Sequence, residues 1–167
     1  MMETQRPQIE IEPTPIDRVV DTLAMIGLLY MVAITVIYYP QLPATIPTHF
    51  DLAGKVDGWG SKLTLSFLPV ISAVFYFALS TITRFPHIYN YPVPITAENV
   101  EKQYRIGISI MRWLKMEFVC IFAFLTQQII AAAQVKHLSM QPWVPMLFVA
   151  AILITSAVHI VLAYRAK

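Results

Sequence analysis

Six side chains in this sequence have types suited to chemistry. His49, Asp51 and Asp57 fall within one nine-residue stretch, and an imidazole with two carboxylates is a set that metals use. The spacing is neither the repeated carboxylate pattern of a calcium loop nor the His-Glu-x-x-His of a zinc protease. The expected role of these three is to brace turns through local backbone hydrogen bonds, with no metal bound. The other three, Asp21, Glu117 and His159, interrupt apolar runs. An ionisable group at membrane depth is costly and marks ion pathways, proton relays or ligand sites. Glu117 has no partner on its own helix, because positions 113, 114, 120 and 121 are Trp, Leu, Cys and Ile. Its partner must come from another helix or from headgroup water. We therefore expect an intramembrane polar cluster of Glu117, His159 and Asp21, joined by Arg84 or Arg112, with interhelical adhesion and snorkelling as its ordinary role. A proton relay or ligand site is the alternative.

Other chemistries find no foothold. The sequence has no Gly-x-Ser-x-Gly elbow and no glycine-rich phosphate loop, so no catalytic residue and no cofactor is expected. Cys120 is the single cysteine and sits in an apolar run, which excludes an intrachain disulfide and any cysteine-built metal motif. A net charge of +2 without a basic run points away from nucleic acid as a partner.

The elements that must position these groups are set by lipid. The chain is 57% hydrophobic and 13% charged, against about 45–50% and about 25% in a soluble domain. Four apolar runs, at about 19–39, 63–82, 114–135 and 142–164, each reach the roughly 20 residues that cross a bilayer as helix. Helices are expected because lipid cannot satisfy backbone polar groups. The fold class is all-α: a polytopic membrane protein with four transmembrane helices in one domain, 19–167, preceded by a flexible or peripherally docked cytoplasmic tail, 1–18. Arg6, Arg18, Arg84, Lys102, Arg105, Arg112, Lys115, Arg165 and Lys167 fall on one side of such a chain, and Lys55, Lys62 and Lys136 on the other. The excess of Lys and Arg puts both termini in the cytoplasm and the loop 40–62 outside. The third helix should start early, near Ala97, with Thr96 as its cap, and Gly107 is its weak point.

The loop 40–62 holds the remaining candidates. Pro40, Pro43 and Pro47 keep its entry extended. Ile46–Phe50 and Lys55–Trp59 are expected to pair as a hairpin through a type I turn over Asp51–Gly54, with glycine in the left-handed region. Asp57-Gly58 reads as a second turn, Gly60 frees the backbone, and Ser61 caps the next helix. Trp59 and Lys62 are interface anchors.

The stretch "LPATIPTHFDLAGKVDGWGSK" resembles the signature of a bacterial membrane family called domain of unknown function 1648, through Leu42, Pro43, Ile46, Pro47, His49, Phe50, Gly54, Asp57, Gly58, Gly60 and Lys62. The later "YNYPVPITAENVEKQYRIGISIMRWLK" looks like the same family's approach to its third helix. The family includes proteins similar to SdpI, an immunity and signalling protein, which carry further helices. The resemblance implies a fold and a location in the bacterial cytoplasmic membrane, and no catalytic residues.

Three functions compete on these residues. The first is a non-enzymatic membrane module that recognises a peptide, lipid or protein through the outward loop. The second is an accessory subunit of a larger membrane complex; the partners expected for the chain are membrane lipids and a protein partner or further copies of itself in a homo-oligomer. The third is a membrane enzyme or transporter working at the Glu117/His159 level.

Overall fold

The computed structural model describes residues 6–135 and 139–167, so Lys136 of the charge count and residues 1–5 of the tail lie outside the described residues. Helix α1 runs Pro15–Tyr38, strands β1 and β2 run Thr45–Phe50 and Val56–Ser61, and helices α2, α3 and α4 run Phe67–Ile82, Val100–Gln134 and Trp143–Arg165. Short 3-10 turns extend α1 to Gln41 and begin α2 at Lys62, so that four helical segments are long and apolar enough to cross a membrane.

Helix α1 starts four residues earlier than the apolar run suggests. Thr14 accepts a hydrogen bond from the Asp17 amide at 3.1 Å, and Asp17 accepts one from the Thr14 amide at 2.8 Å. This reciprocal capping box, with Pro15 in the first turn, satisfies donors that a helix start would otherwise leave bare. The tail before it is docked. Arg6 donates to the Tyr89 carbonyl at 2.5 Å, Tyr104 to the Pro7 carbonyl at 3.0 Å, and Arg105 to the Glu12 carbonyl at 3.2 Å.

Helix α3 is the spine and packs against each of the other three helices. Its 35 residues amount to roughly 52 Å, well beyond the hydrocarbon thickness. It starts at Val100, not Ala97, because Asn99 rather than Thr96 shapes the entry. The Asn99 side chain accepts from the Thr96 amide at 2.9 Å and donates to the Pro94 carbonyl at 3.0 Å. The helix also runs unbroken through Gly107. A Cβ there would lie 2.9 Å from Tyr91 Oη and 3.0 Å from Tyr89 Cδ2. Glycine lets the two tyrosines lie against the helix, and the expected weak point is a packing contact.

The core is built from the faces that α1 and α2 turn toward α3: Ala24, Leu28 and Met31, then Tyr76, then Val119 and Ala123. Both described termini and the 83–99 connection gather at one end of the bundle, tied by the contacts of Arg6 and Tyr104 and by Gln103, which donates to the Ala163 carbonyl at 2.8 Å. The hairpin sits at the opposite end.

Candidate functional site

The hairpin forms through the turn the residues dictate. Gly54 takes φ +77°, its amide donates to the Asp51 carbonyl at 2.9 Å, and the Asp51 amide donates to the Lys55 carbonyl at 2.8 Å. One carboxylate oxygen of Asp51 accepts from the amides of Ala53 and Lys55, each at 2.8 Å. That side chain braces the turn. Asp57-Gly58 does not form a second turn. Both residues lie inside β2, where Gly58 faces His49 and Trp59 faces Pro47, with register irregularities on either side of His49. The bulge absorbs the change of direction expected there as a turn.

A two-stranded hairpin is marginal by itself, and this one is seated. Ile46 is 0% exposed and packs with Leu42, Leu65 and Ile130. Pro47 is buried beside it, Phe50 is half-buried and Pro43 is exposed. The carbonyl of Gly54 accepts from the Met140 amide at 2.8 Å, joining the turn to the α3–α4 connection. Lys62 donates to the carbonyls of Tyr39 and Leu42, each at 3.3 Å, and lies 4.8 Å from the Tyr39 ring centroid. Ser61 accepts from the Leu63 amide at 3.3 Å, as a cap. The opposite face is open. His49 Nδ1 lies 2.5 Å from Asp57 Oδ1, with 71% and 46% of those side chains exposed, and Trp59 is 61% exposed beside them. Among the described residues, no group of three or more His, Cys, Asp or Glu is placed to hold a metal.

The charged residues near the other end separate into two groups where the spacing suggested one. In the first, Asp21 Oδ1 accepts from Lys115 at 2.7 Å, and Arg112 lies 3.5 Å from Asp21 and 3.0 Å from Asp17. Arg112 Nη1 reaches Asp17 as an ion pair without the alignment of a hydrogen bond. Lys115 also donates to Ser80 at 3.0 Å and lies 4.8 Å from the Tyr76 ring centroid. Asp17 and Asp21 are four apart on α1, and Arg112 and Lys115 three apart on α3. Each pair therefore occupies one helix face, and the two faces meet.

In the second group, Thr155 donates its hydroxyl to Glu117 Oε1 at 2.6 Å, and His159 Nδ1 lies 2.8 Å from the Thr155 carbonyl. A carbonyl only accepts, so Nδ1 carries the proton. Nε2, 3.1 Å from Ser109 Oγ, then accepts from that hydroxyl in the neutral ring. Asp21 is excluded from this group by geometry. Residues two apart on a helix point to different faces, so Asp21, reaching Lys115 from α1, lies away from Glu117, which faces α4. Arg84 stays exposed past the end of α2, lining a cleft with Arg112 and the docked tail. The bonds joining Glu117 to His159 run through the Thr155 peptide carbonyl, which carries no proton to pass on.

Lys115, Asp17, Thr155 and Ser109 complete these groups without having been singled out in the sequence. The i,i+4 repeat of Asp17 and Asp21 against the i,i+3 repeat of Arg112 and Lys115 is the signal that points to the first group. Thr155 and Ser109 carry no comparable signal, since hydroxyl residues are ordinary in membrane helices.

The connection before α3 adds a tyrosine cluster. Tyr91 stacks between Tyr89 and Tyr104, with centroids 6.0 Å and 5.7 Å away, and Arg6 lies 5.6 Å from the Tyr91 ring centroid. Tyr89 donates its hydroxyl to the Ile82 carbonyl at 2.8 Å and Tyr91 to the Pro86 carbonyl at 2.9 Å. Burial pushes the Tyr89 hydroxyl up to about 12 and raises Tyr91 further, its tyrosine neighbours adding to the effect. Both remain neutral donors. Glu98 is held below the usual carboxylate range by a hydrogen bond from Thr96.

A curated relative, described as an uncharacterized protein of Archaeoglobus fulgidus, is 34% identical over 92 residues, covering 50% of this chain and 49% of its own length. The chain thus spans about half the length of that relative, which is archaeal where the resemblance pointed to bacteria. No solved structure matches. The model of a family described as domain of unknown function (DUF1648) matches residues 26–73, which take in most of α1, the whole hairpin and the start of α2. The part of this four-helix membrane chain that is similar to DUF1648 is therefore the seated hairpin with the adjoining parts of the two helices that carry it.

Proposed function

We propose that this chain is a non-enzymatic module of the cytoplasmic membrane that recognises a peptide, lipid or protein partner through the outward face of its hairpin, with both termini in the cytoplasm. The supporting observation is a hairpin rigidly seated on one face and open on the other. Ile46 is fully buried while Trp59 is 61% exposed and His49 holds Asp57 beside it. A large aromatic held on a fixed backbone loses little side-chain entropy on binding, which is the usual property of an interface anchor. Nine Lys and Arg on the terminal side against three on the hairpin side support the orientation. The accessory-subunit reading draws on α4, where Ala163 is the buried residue and the apolar surface is free for lipid or for another chain.

Two measurements test this. A photoreactive residue in place of Trp59, in native membranes, should give a defined adduct that the same residue at Val149 on α4 does not. Identical lipid adducts from both positions would remove the recognition role. Leu52, at the hairpin tip and 92% exposed, tests the orientation. A Leu52→Cys variant lacking Cys120 should react in intact cells with a membrane-impermeant maleimide, and reaction only after lysis would reverse the topology.

A further inference from the structure

Between α1 and α3, toward the hairpin end of the bundle, a groove of about 330 Å³ carries polar groups where lipid is the expected neighbour. Tyr30 and Tyr38 line one wall, Gln127 and Gln134 the other, with Ile34, Ile130 and Ala131 between them. Tyr38 and Gln134 are the last residues of their helices, within reach of interfacial water. Tyr30 and Gln127 precede those ends by eight and seven residues, which is roughly 10–12 Å along the helix and inside the hydrocarbon.

Thr126, the neighbour of Gln127, is buried and donates to the Phe122 carbonyl at 2.8 Å. Gln127 turns outward. It is exposed, and among the described residues its amide has no hydrogen-bond partner. Tyr30 is 43% exposed across the groove. Lipid tails offer these groups nothing, and an unpaired amide at that depth is costly. One tyrosine hydroxyl would not suffice, because the amide has two donors and two acceptor sites. A lipid ester only accepts and would leave the amide oxygen bare. Another amide both donates and accepts, so it complements this one. Depth then favours the same residue on another copy. Copies of one chain share an orientation in the membrane, so a two-fold axis along the membrane normal sets each residue opposite itself at the same level. Gln127 meets Gln127, and the two amides exchange a reciprocal pair of hydrogen bonds. A charged residue there would repel its copy, and the lining of the groove has none. Ala131, one turn nearer the hairpin, is small enough to let the helices approach.

From this we infer that a second copy of this chain covers the groove, the two pairing about that axis through Gln127. The contact lies on the helices, apart from the open face of the hairpin, and is independent of what the hairpin binds.

The test uses the full chain in liposomes, lacking Cys120 and carrying a donor or acceptor dye at Leu52→Cys, and reads energy transfer as the protein is diluted with lipid. Transfer should follow a monomer–dimer equilibrium. Gln127→Leu should move its midpoint to about tenfold more protein per lipid, the size expected of an amide pair between membrane helices. Leucine is apolar and a strong helix former, so the variant removes the amide without endangering the fold. In native membranes, Ala131→Cys in a chain lacking Cys120 should form a disulfide-linked dimer on oxidation, and Val149→Cys on α4 should not. Transfer no greater than random proximity overturns the inference, as does a dimer that Gln127→Leu leaves unchanged or one linked through Val149 and not Ala131. Linkage of Ala131→Cys to a different protein, without transfer in liposomes, also overturns it and gives the groove to that protein.

Discussion

Gly54→Ala should release the hairpin from the bundle. Two effects combine at this position. The backbone holds φ +77°, which costs a residue with a Cβ about 1–2 kcal/mol. A Cβ placed there would also collide with the Met140 carbonyl oxygen. The turn must therefore move, which breaks the 2.8 Å hydrogen bond from the Met140 amide to the Gly54 carbonyl, worth about 1 kcal/mol. The sum is about 2–3 kcal/mol. The hairpin has little stability of its own to absorb such a loss. Amide exchange across Val56–Ser61 should accelerate by roughly 30- to 100-fold, since each 1.4 kcal/mol is about a factor of ten. The helices should keep their protection, because their contacts do not pass through Gly54. Leu52→Ala, at a side chain 92% exposed on the same turn, should change nothing. Unchanged exchange in the Gly54 variant would show that the hairpin's seat does not depend on this turn. If the hairpin is the recognition surface, the same variant should also lose the adduct expected from position 59.

Lys115→Met should destabilise the bundle by about 3 kcal/mol. The Lys115 side chain is 4% exposed and is the nearest cation to Asp21, at 2.7 Å. Removing one partner of a buried pair leaves the other charge uncompensated, at a typical cost of about 3–5 kcal/mol. The lower end applies because the Asp21 side chain is 34% exposed and keeps Arg112 at 3.5 Å. Methionine retains the length and apolar stem of lysine, so the loss reports charge rather than volume. Adding Asp21→Asn should restore most of it, with a coupling of about 2–3 kcal/mol in a double-mutant cycle. Thermal unfolding in detergent micelles measures all three variants. Additive losses in the double variant would mean that the two side chains do not share an interaction. Glu117→Gln offers a contrast, since its partner is the Thr155 hydroxyl, which an amide oxygen can also accept.

The two predictions rest on features that were unequally legible in the sequence. The hairpin turn is local. Asp51, Gly54 and the flanking β-prone residues determine it over five or six positions, and the observed strands lie within one residue of the expected ones at most ends. The start of α1 is local too, but its signal is easy to pass over, because Thr14, Pro15 and Asp17 sit in a polar tail that draws attention to its prolines. Asp57-Gly58 misled for a related reason. The dipeptide favours a turn, and cross-strand pairing with His49 overrode that preference. Gly107 misled because glycine weakens an isolated helix, whereas here it makes room for Tyr89 and Tyr91 from a segment 16–18 residues earlier in the chain.

Residues and their spacing alone determined that this chain is a four-helix membrane protein, with a long third helix, a turn closed by Gly54 and a recognisable signature across residues 42–62. Each of these depends on local propensity or on summed apolar content, and neither requires knowledge of which helix touches which. Tertiary structure alone decided that Glu117 and His159 meet at Thr155 and that the hairpin rests on Ile46 and Met140, and it decided that the acidic face of α1, with Asp21, meets the basic face of α3, with Arg112 and Lys115. Those pairings depend on the rotation of each helix about its axis. Apolar residues cover every face of a helix in lipid, so the sequence carries no amphipathic stripe to announce that rotation, and packing against α3 sets it.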